Sequence, residues 1–227
     1  MSKKLFITAT GTDAGKTYVT ALILKKLIQS KINAGYYKAA LSGAEYKNNI
    51  LTAGDADYVK KTANINASLS EMVSYVYKNA VSPHLAAKIE GNPLEMQKVK
   101  NDFEMACRKY NYVVMEGSGG IVCPIRIDEK EIWLTDIIKE LNLKTVIVVP
   151  AGLGSINNSI LTVKYMQNLD IEIKGIFLNF YHFNNIMEKD NKLMIEKYTG
   201  IPVIACIPPN ADEINTDIKN ILTLFDN

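Results

Sequence analysis

Residues 4–17, Lys-Leu-Phe-Ile-Thr-Ala-Thr-Gly-Thr-Asp-Ala-Gly-Lys-Thr, constrain the fold more than any other stretch of the chain. An apolar run, Leu5–Ile7, leads into a glycine-containing loop, and Gly15-Lys16-Thr17 opens a helical pattern. Val19, Leu22, Ile23 and Leu27 follow at i, i+3, i+4 and i+8 and mark one helix face. Strand, glycine loop and helix in that order build an anion cradle. The loop and helix N–H groups converge, and the helix dipole favours negative charge there. The string departs from G-x-x-x-x-G-K-[ST], because Thr10 stands at the first glycine position and Gly11 follows it. In such a cradle Lys16 reaches β- and γ-phosphates, and the Thr17 hydroxyl can hold Mg²⁺.

The remaining chain repeats the alternation. Strands are expected at Leu5–Thr10, Gly35–Ala40, Tyr112–Glu116, Thr145–Pro150, Gly175–Asn179 and Val203–Ile207. Several are apolar on consecutive positions, as strands buried on both faces of a parallel sheet are. Helical patterns lie near 16–30, 55–63, 94–110, 131–140, 154–168, 185–198 and 211–225. The expected fold is a doubly wound α/β architecture with a mostly parallel sheet flanked by helices. No repeat, low-complexity segment or linker divides it, so residues 1–227 are expected to form a single domain.

The net charge of +2 gives no electrostatic case for nucleic acid or an acidic membrane. No apolar run approaches a membrane span, and no signal-peptide pattern opens the chain. The three cysteines, Cys107, Cys123 and Cys206, are widely spaced and contain no C-x-x-C pair. Neither a disulfide framework nor a zinc site is implied, and a cytoplasmic setting is expected.

Ligands of such sheets bind beyond the C-terminal ends of the strands, and polar or glycine residues cluster there. Glu116 ends a buried run, and Gly117, Gly119 and Gly120 follow within four residues. An acid there is the usual Mg²⁺ partner of a phosphate loop. Asp55, at the start of a helix, reads first as an N-cap or first-turn acid, with a third oxygen ligand beside Thr17 and Glu116 as the alternative. Lys38 is either a snorkelling lysine or a partner for an anion. Ser42 alone is an ordinary loop serine. Gly154-Ser155-Ile156-Asn157 reads as a well-capped helix start that can also hold a carboxylate. His84 and His182 have no partner at ligand or triad spacing and read as structural.

Together, five segments resemble the dethiobiotin synthetase family, ATP-dependent carboxylases of biotin synthesis with a P-loop NTPase-like fold. They are residues 8–17, Tyr-Lys-Ala-Ala-Leu-Ser-Gly at 37–43, Ser-Pro-His at 82–84, Met-Glu-Gly-Ser-Gly-Gly at 115–120 and Gly-Leu-Gly-Ser-Ile-Asn at 152–157. The likeness runs in order from residue 4 to about residue 209. It implies that 7,8-diaminononanoate, CO₂ and ATP with Mg²⁺ give dethiobiotin, ADP and phosphate through an N7-carbamate and a carbamic-phosphoric anhydride.

By the same resemblance Lys16, Lys38 and Thr12 serve the transfer. Asp13, Ala14, Gly15, Lys16, Thr17, Tyr18, Asn179 and Pro208 hold the nucleotide, with Asn179 reading the base. Thr12, Lys38, Ser42, Gly117 and Gly119 hold the diamine, and Thr17, Asp55 and Glu116 the metal. A homodimer is implied in which Gly154, Ser155 and Asn157 take the substrate carboxylate across the interface. The chain departs from the family pattern at Ala9, at Asp13 and at Asn179-Phe180-Tyr181. Two rival readings are weaker. Switch ATPases of the partitioning type carry an extra lysine where this chain has Gly11. The cobalamin-pathway amide synthases carry an attached glutaminase domain.

Overall fold

The computed structural model describes residues 2–47 and 50–226. Among them seven parallel strands form one sheet. In chain order these are β1 (Lys3–Ala9), β2 (Ala34–Leu41), β5 (Val73–Val76), β6 (Tyr112–Glu116), β9 (Lys144–Pro150), β10 (Ile173–Asn179) and β11 (Val203–Ile207). Their spatial order is β11-β10-β9-β1-β6-β2-β5. β1 is flanked by β6 on one side and β9 on the other, both parallel to it. From β1 the chain crosses to β2 and the edge strand β5, returns to β6 beside β1, and then crosses to β9 on the other side and out to β10 and β11. The loop after β1 therefore lies where the winding changes direction, the point at which a doubly wound sheet binds its ligands.

The consecutive apolar residues of the strands feed two cores, because successive side chains point to opposite faces. Phe6, Tyr37, Met115, Ile147 and Leu178 enter one core. There they meet α4 (Pro83–Glu90), α5 (Met96–Lys109), α6 (Leu134–Glu140), α7 (Ser155–Asn168) and α8 (Ile186–Thr199). Leu5, Ile7, Tyr36, Val114, Val148 and Phe177 enter the other, with α1 (Lys16–Gln29), α2 (Gly54–Ala63) and α9 (Ile218–Leu222).

All six expected strands are present. β5 is not among them, and its pattern explains why. It is four residues long and lies at the sheet edge, where Val73 and Tyr75 are buried while Ser74 and Val76 are half-buried. Four further elements also escaped the sequence reading. They are the hairpin of β3 (Glu45–Lys47) and β4 (Ile50–Thr52), the hairpin of β7 (Pro124–Ile127) and β8 (Glu131–Trp133), and the short helices α3 (Leu69–Met72) and α4 (Pro83–Glu90).

Two expected helices are shorter than read. Residues 131–133 of the 131–140 segment pair antiparallel with β7, and Asp136 accepts the Trp133 N–H at 2.7 Å, so the helix starts at Leu134. In the 211–225 segment only Ile218–Leu222 is α-helical, followed by a 3₁₀ turn at Thr223–Phe225. Tyr18, Lys25 and Lys26 of α1 donate to the carbonyls of Ala211, Asp212 and Ile214, which straps this stretch to α1 as a loop. Asp217 then caps α9 by accepting the Lys219 N–H at 2.8 Å.

Candidate functional site

The loop after β1 turns into α1 through Gly15, whose φ of 84° lies in the left-handed region. A Cβ there would come 2.1 Å from Asn179 Nδ2, so a side chain is excluded by contact as well as by conformation. α1 has no side-chain cap and no acid in its first turn. Its first N–H groups and its dipole therefore face outward uncompensated. Lys16 lies in that turn, largely buried, and its Nζ reaches back 3.2 Å to the Gly11 carbonyl. Among the described residues it has no carboxylate within ion-pairing distance. Burial accordingly pulls its pKa down, against the smaller upward pull of Glu116.

A second cation sits opposite. β2 and β6 pair so that Lys38 lies beside Glu116, and the β1–β6 register puts Ile7 on Glu116's other side. Glu116 is 1% exposed, and a buried carboxylate must find donors. It has three. Lys38 Nζ donates at 2.7 Å and the Thr17 hydroxyl at 2.8 Å, both to Oε1, and the Tyr36 hydroxyl donates at 3.0 Å to Oε2. Lys38 also donates to Asp55 Oδ2 at 2.5 Å. Burial opposes the Lys38 charge, but the Glu116 and Asp55 charges and hydrogen bonds outweigh it and its pKa is raised. Burial first, and then Glu116, push the Tyr36 phenol far up, which keeps it a donor.

These groups share one cleft of about 520 Å³, lined by Thr12, Asp13, Gly15, Lys16, Thr17, Lys38, Leu41, Ser42, Asp55, Glu116, Gly117, Ser118 and Gly119. Most residues singled out in the sequence as phosphate, diamine or metal partners therefore meet in one place. Gly120 packs against the loop after β1, since a Cβ on it would come 3.4 Å from Gly11 Cα. Tyr36 and Ser118 were not singled out. Ser118 Oγ donates to the Ala40 carbonyl at 2.8 Å and ties the glycine loop to β2. The alternation of β2 is the signal for Tyr36, because it places Tyr36 and Lys38 on the same face of the strand.

The other sequence candidates lie outside this cleft. Asn179 ends β10 fully buried, and its Nδ2 donates to the Ala14 carbonyl at 2.9 Å. Its Oδ1 is buried and has no hydrogen-bond partner. The Tyr18 hydroxyl donates to the Ala211 carbonyl at 2.7 Å, in the loop that follows Pro208. α7 begins as the sequence predicts, but its cap is Gly154 in the left-handed region with no side-chain hydrogen bond. Ser155 is the first helical residue, its hydroxyl buried without a partner, and Asn157 is exposed and bonds to Asn158. His182 does have a partner. Its Nδ1 lies 3.0 Å from Glu188 Oε1, and the same carboxylate caps its backbone N–H, so the contact fastens a loop. His84 Nδ1 is buried without a hydrogen bond.

The oxygen donors Thr17, Asp55 and Glu116 suit a hard divalent cation. Lys38's ammonium already lies between the two carboxylates, so the set converges on a point that a cation can occupy. No group of three or more His, Cys, Asp or Glu side chains forms a metal site among the described residues. A bound Mg²⁺ would therefore draw its remaining ligands from phosphate oxygens and water.

A family model described as an AAA domain matches residues 3–216. The chain is 49% identical over 226 residues to the ATP-dependent dethiobiotin synthetase BioD of Clostridium botulinum (strain Eklund 17B / Type B), covering 100% of this chain and 99% of that one. It is 49% identical over 227 residues to the protein of the same name from Brachyspira hyodysenteriae (strain ATCC 49526 / WA1), covering 100% of both. Solved structures are similar at the level of fold. The ParA family ATPase from Chlorobium tepidum TLS superposes with a TM-score of 0.54 at 16% identity, covering 99% of this chain and 91% of that one. The septum site-determining protein MinD from Pyrococcus horikoshii OT3, complexed with Mg-ADP, gives 0.54 at 15% identity, covering 100% and 97%.

Proposed function

This chain belongs to the ATP-dependent dethiobiotin synthetase family, and we propose that it carboxylates 7,8-diaminononanoate and closes the product to dethiobiotin with ATP. The observation that carries the reading is the cleft itself. It brings together two buried lysines, Lys16 and Lys38, the buried acid Glu116 and the glycines that follow it.

The diamine's N7 adds to CO₂, forming the N–C bond of a carbamate and releasing one proton. A carbamate oxygen then attacks the γ-phosphorus of ATP as the bond to the β-phosphate oxygen breaks, giving ADP and a carbamic-phosphoric anhydride. N8 attacks the carbonyl carbon of the anhydride, phosphate leaves, a proton is lost and the cyclic urea is closed. Phosphoryl transfer of this kind depends on positioning and charge stabilisation.

Lys16 lies against the loop, where its ammonium offsets the phosphate charge. Lys38 and Thr12 face the carbamate oxygens, and Ser42 and the backbone of Gly117 and Gly119 seat the diamine. Thr17, Asp55 and Glu116 would hold Mg²⁺, which when bound supplies charge neutralisation at the β- and γ-phosphates. Asp13, Ala14 and Gly15 cradle the phosphates. Tyr18, Asn179 and Pro208 face the nucleoside.

Val122, Leu161 and Tyr165 line an apolar cavity of about 440 Å³ beside Gly120, and Leu153 is 93% exposed. Exposed apolar surface of this kind supports a homodimer. In it Gly154, Ser155 and Asn157 would take the substrate carboxylate of the partner subunit. The chain is read as a single P-loop domain. No helix among the described residues is long and apolar enough to cross a membrane, and three free thiols fit a cytoplasmic enzyme.

The test is phosphate release by the purified chain with Mg²⁺ and ATP. Release that requires both the diamine and bicarbonate is expected. Release indifferent to the diamine would replace the synthetase reading with that of a switch ATPase.

A further inference from the structure

Phe180 adopts a backbone conformation that its type disfavours. Its φ is 58°, in the left-handed region. Of the seven non-glycine residues described there, five are Asn or Asp, namely Asp13, Asn64, Asn142, Asp170 and Asn210. Their short polar side chains tolerate that region, whereas a bulky residue is an outlier in it. The conformation is imposed from both sides. The Asn179 carbonyl accepts from Ala151 N–H and the Tyr181 N–H donates to the Ile207 carbonyl, each at 2.9 Å, so the turn is pinned to β9 and β11. Strain held this way by its surroundings is a pointer to function.

Core packing does not account for it. Tyr181 belongs to one hydrophobic core, but Phe180 belongs to neither and is 39% exposed. The turn instead sets the ring against the phosphate loop. A Cβ on Gly15 would come 3.2 Å from Phe180 Cζ. Its neighbour Asn179 points the same way, with Nδ2 on the Ala14 carbonyl and a buried oxygen that no donor meets. Tyr18, two residues after Lys16 in α1, donates a hydrogen bond to the Ala211 carbonyl. This flank of the loop lies outside the cleft that holds Lys38 and Glu116.

The geometry points to Phe180 as a base-stacking residue whose ring packs on the nucleobase of the bound triphosphate. A ring face offers area and polarisability but no hydrogen-bond pattern, and every base has a face to match it. Base choice should therefore be shallow at this wall. The inference rests on the nucleotide-binding reading of the loop and deepens it.

The test compares ATP with inorganic tripolyphosphate, which has the charge of the phosphate chain and no base. Affinities for both are measured by calorimetry on the full chain, for the wild type, Phe180→Ala and Phe180→Trp. Phe180→Ala should weaken ATP by about tenfold or more, from the magnitude of base–aromatic stacking, and leave tripolyphosphate within about twofold. Phe180→Trp should keep or tighten ATP binding, and the indole fluorescence it introduces should change with ATP and not with tripolyphosphate. Equal losses for the two ligands in Phe180→Ala, or unchanged ATP affinity, would overturn the stacking role while leaving the synthetase reading in place. A wild-type chain that binds neither ligand would overturn both.

Discussion

Replacing Lys38 with methionine removes the cation from a buried ion pair and keeps most of the side-chain volume. Lys38 and Glu116 are 5% and 0% exposed at the side chain, so that arm of the pair is desolvated. Breaking such a pair by deleting one partner costs about 3–5 kcal/mol, because the remaining charge stays buried. The arm to Asp55 adds little, since that carboxylate is 43% exposed and water screens it. What remains to Glu116 is two neutral donors, Thr17 at 2.8 Å and Tyr36 at 3.0 Å. For a chain of this size each kcal/mol moves the melting temperature by about 2–4 °C, so a fall of about 6–20 °C is expected at pH 8.

The pH dependence has a definite sign. In the wild type the Lys38 pKa is raised, so its contribution is complete below the ordinary value of 10.5 and fades only as pH rises through the higher folded value. The deficit of Lys38→Met should therefore hold through the neutral range and narrow only at alkaline pH, where the wild type loses its own Lys38 charge. Added Mg²⁺ should raise the variant's melting temperature more than the wild type's, since a cation among Thr17, Asp55 and Glu116 replaces the lost charge. The double variant Lys38→Met/Glu116→Gln should recover most of the loss, a coupling that a thermal-melt cycle reads directly. A single variant that melts within about 2 °C of wild type at pH 8 would refute the reasoning.

Gly15→Ala should destabilise the chain by about 1–2 kcal/mol from its left-handed φ alone, and its Cβ would displace the Asn179 amide that it approaches to 2.1 Å. Thermal melts and ATP titration check this, and normal ATP affinity would show that the loop tolerates a side chain there. Burial pushes the thiols of Cys123 and Cys206 up to about 11, so about one in a thousand is ionised at pH 8. Iodoacetamide labelling of the native protein, followed by mass spectrometry, should be slow at pH 8 and rise about tenfold per pH unit up to pH 10. Rapid labelling at pH 7 would contradict the burial of these thiols.

How far the fold can be read from the sequence depends on how each element is buried. Strands covered on both faces announce themselves as unbroken apolar runs, so Thr145–Pro150 and Gly175–Asn179 are visible without any structure. Val73–Val76 is fully covered on one face and only half-covered on the other, and its Ser74 interrupts the run. The 211–225 segment carries helix-forming residues, but its carbonyls are taken by side chains of α1, an interaction that no local pattern encodes. The site shows the same division. The phosphate loop is a contiguous string and is legible as one. The Lys38–Glu116 pair joins residues 78 apart, and it depends on β6 inserting between β1 and β2. Phe180 gives no sign of its conformation, because the glycine or asparagine that usually marks a left-handed turn is absent.

The two lysines of the cleft differ in a way that orders what they can do. Lys38 is satisfied by two carboxylates, and its pKa is raised despite burial. Lys16 meets only a carbonyl, and burial lowers its pKa. A phosphate chain entering over the N-terminus of α1 therefore gains most at Lys16, whose charge the fold leaves uncompensated. Lys38 can turn to an anion only as another cation takes over Asp55 and Glu116. Charge at Lys16 is thus stored ready for use, and charge at Lys38 is released by what binds beside it. The same asymmetry accounts for Thr17, which donates to Glu116 now and stands next to Lys16 in the first turn of the helix. It couples the lysine that the fold leaves uncompensated to the acid that restrains the other lysine.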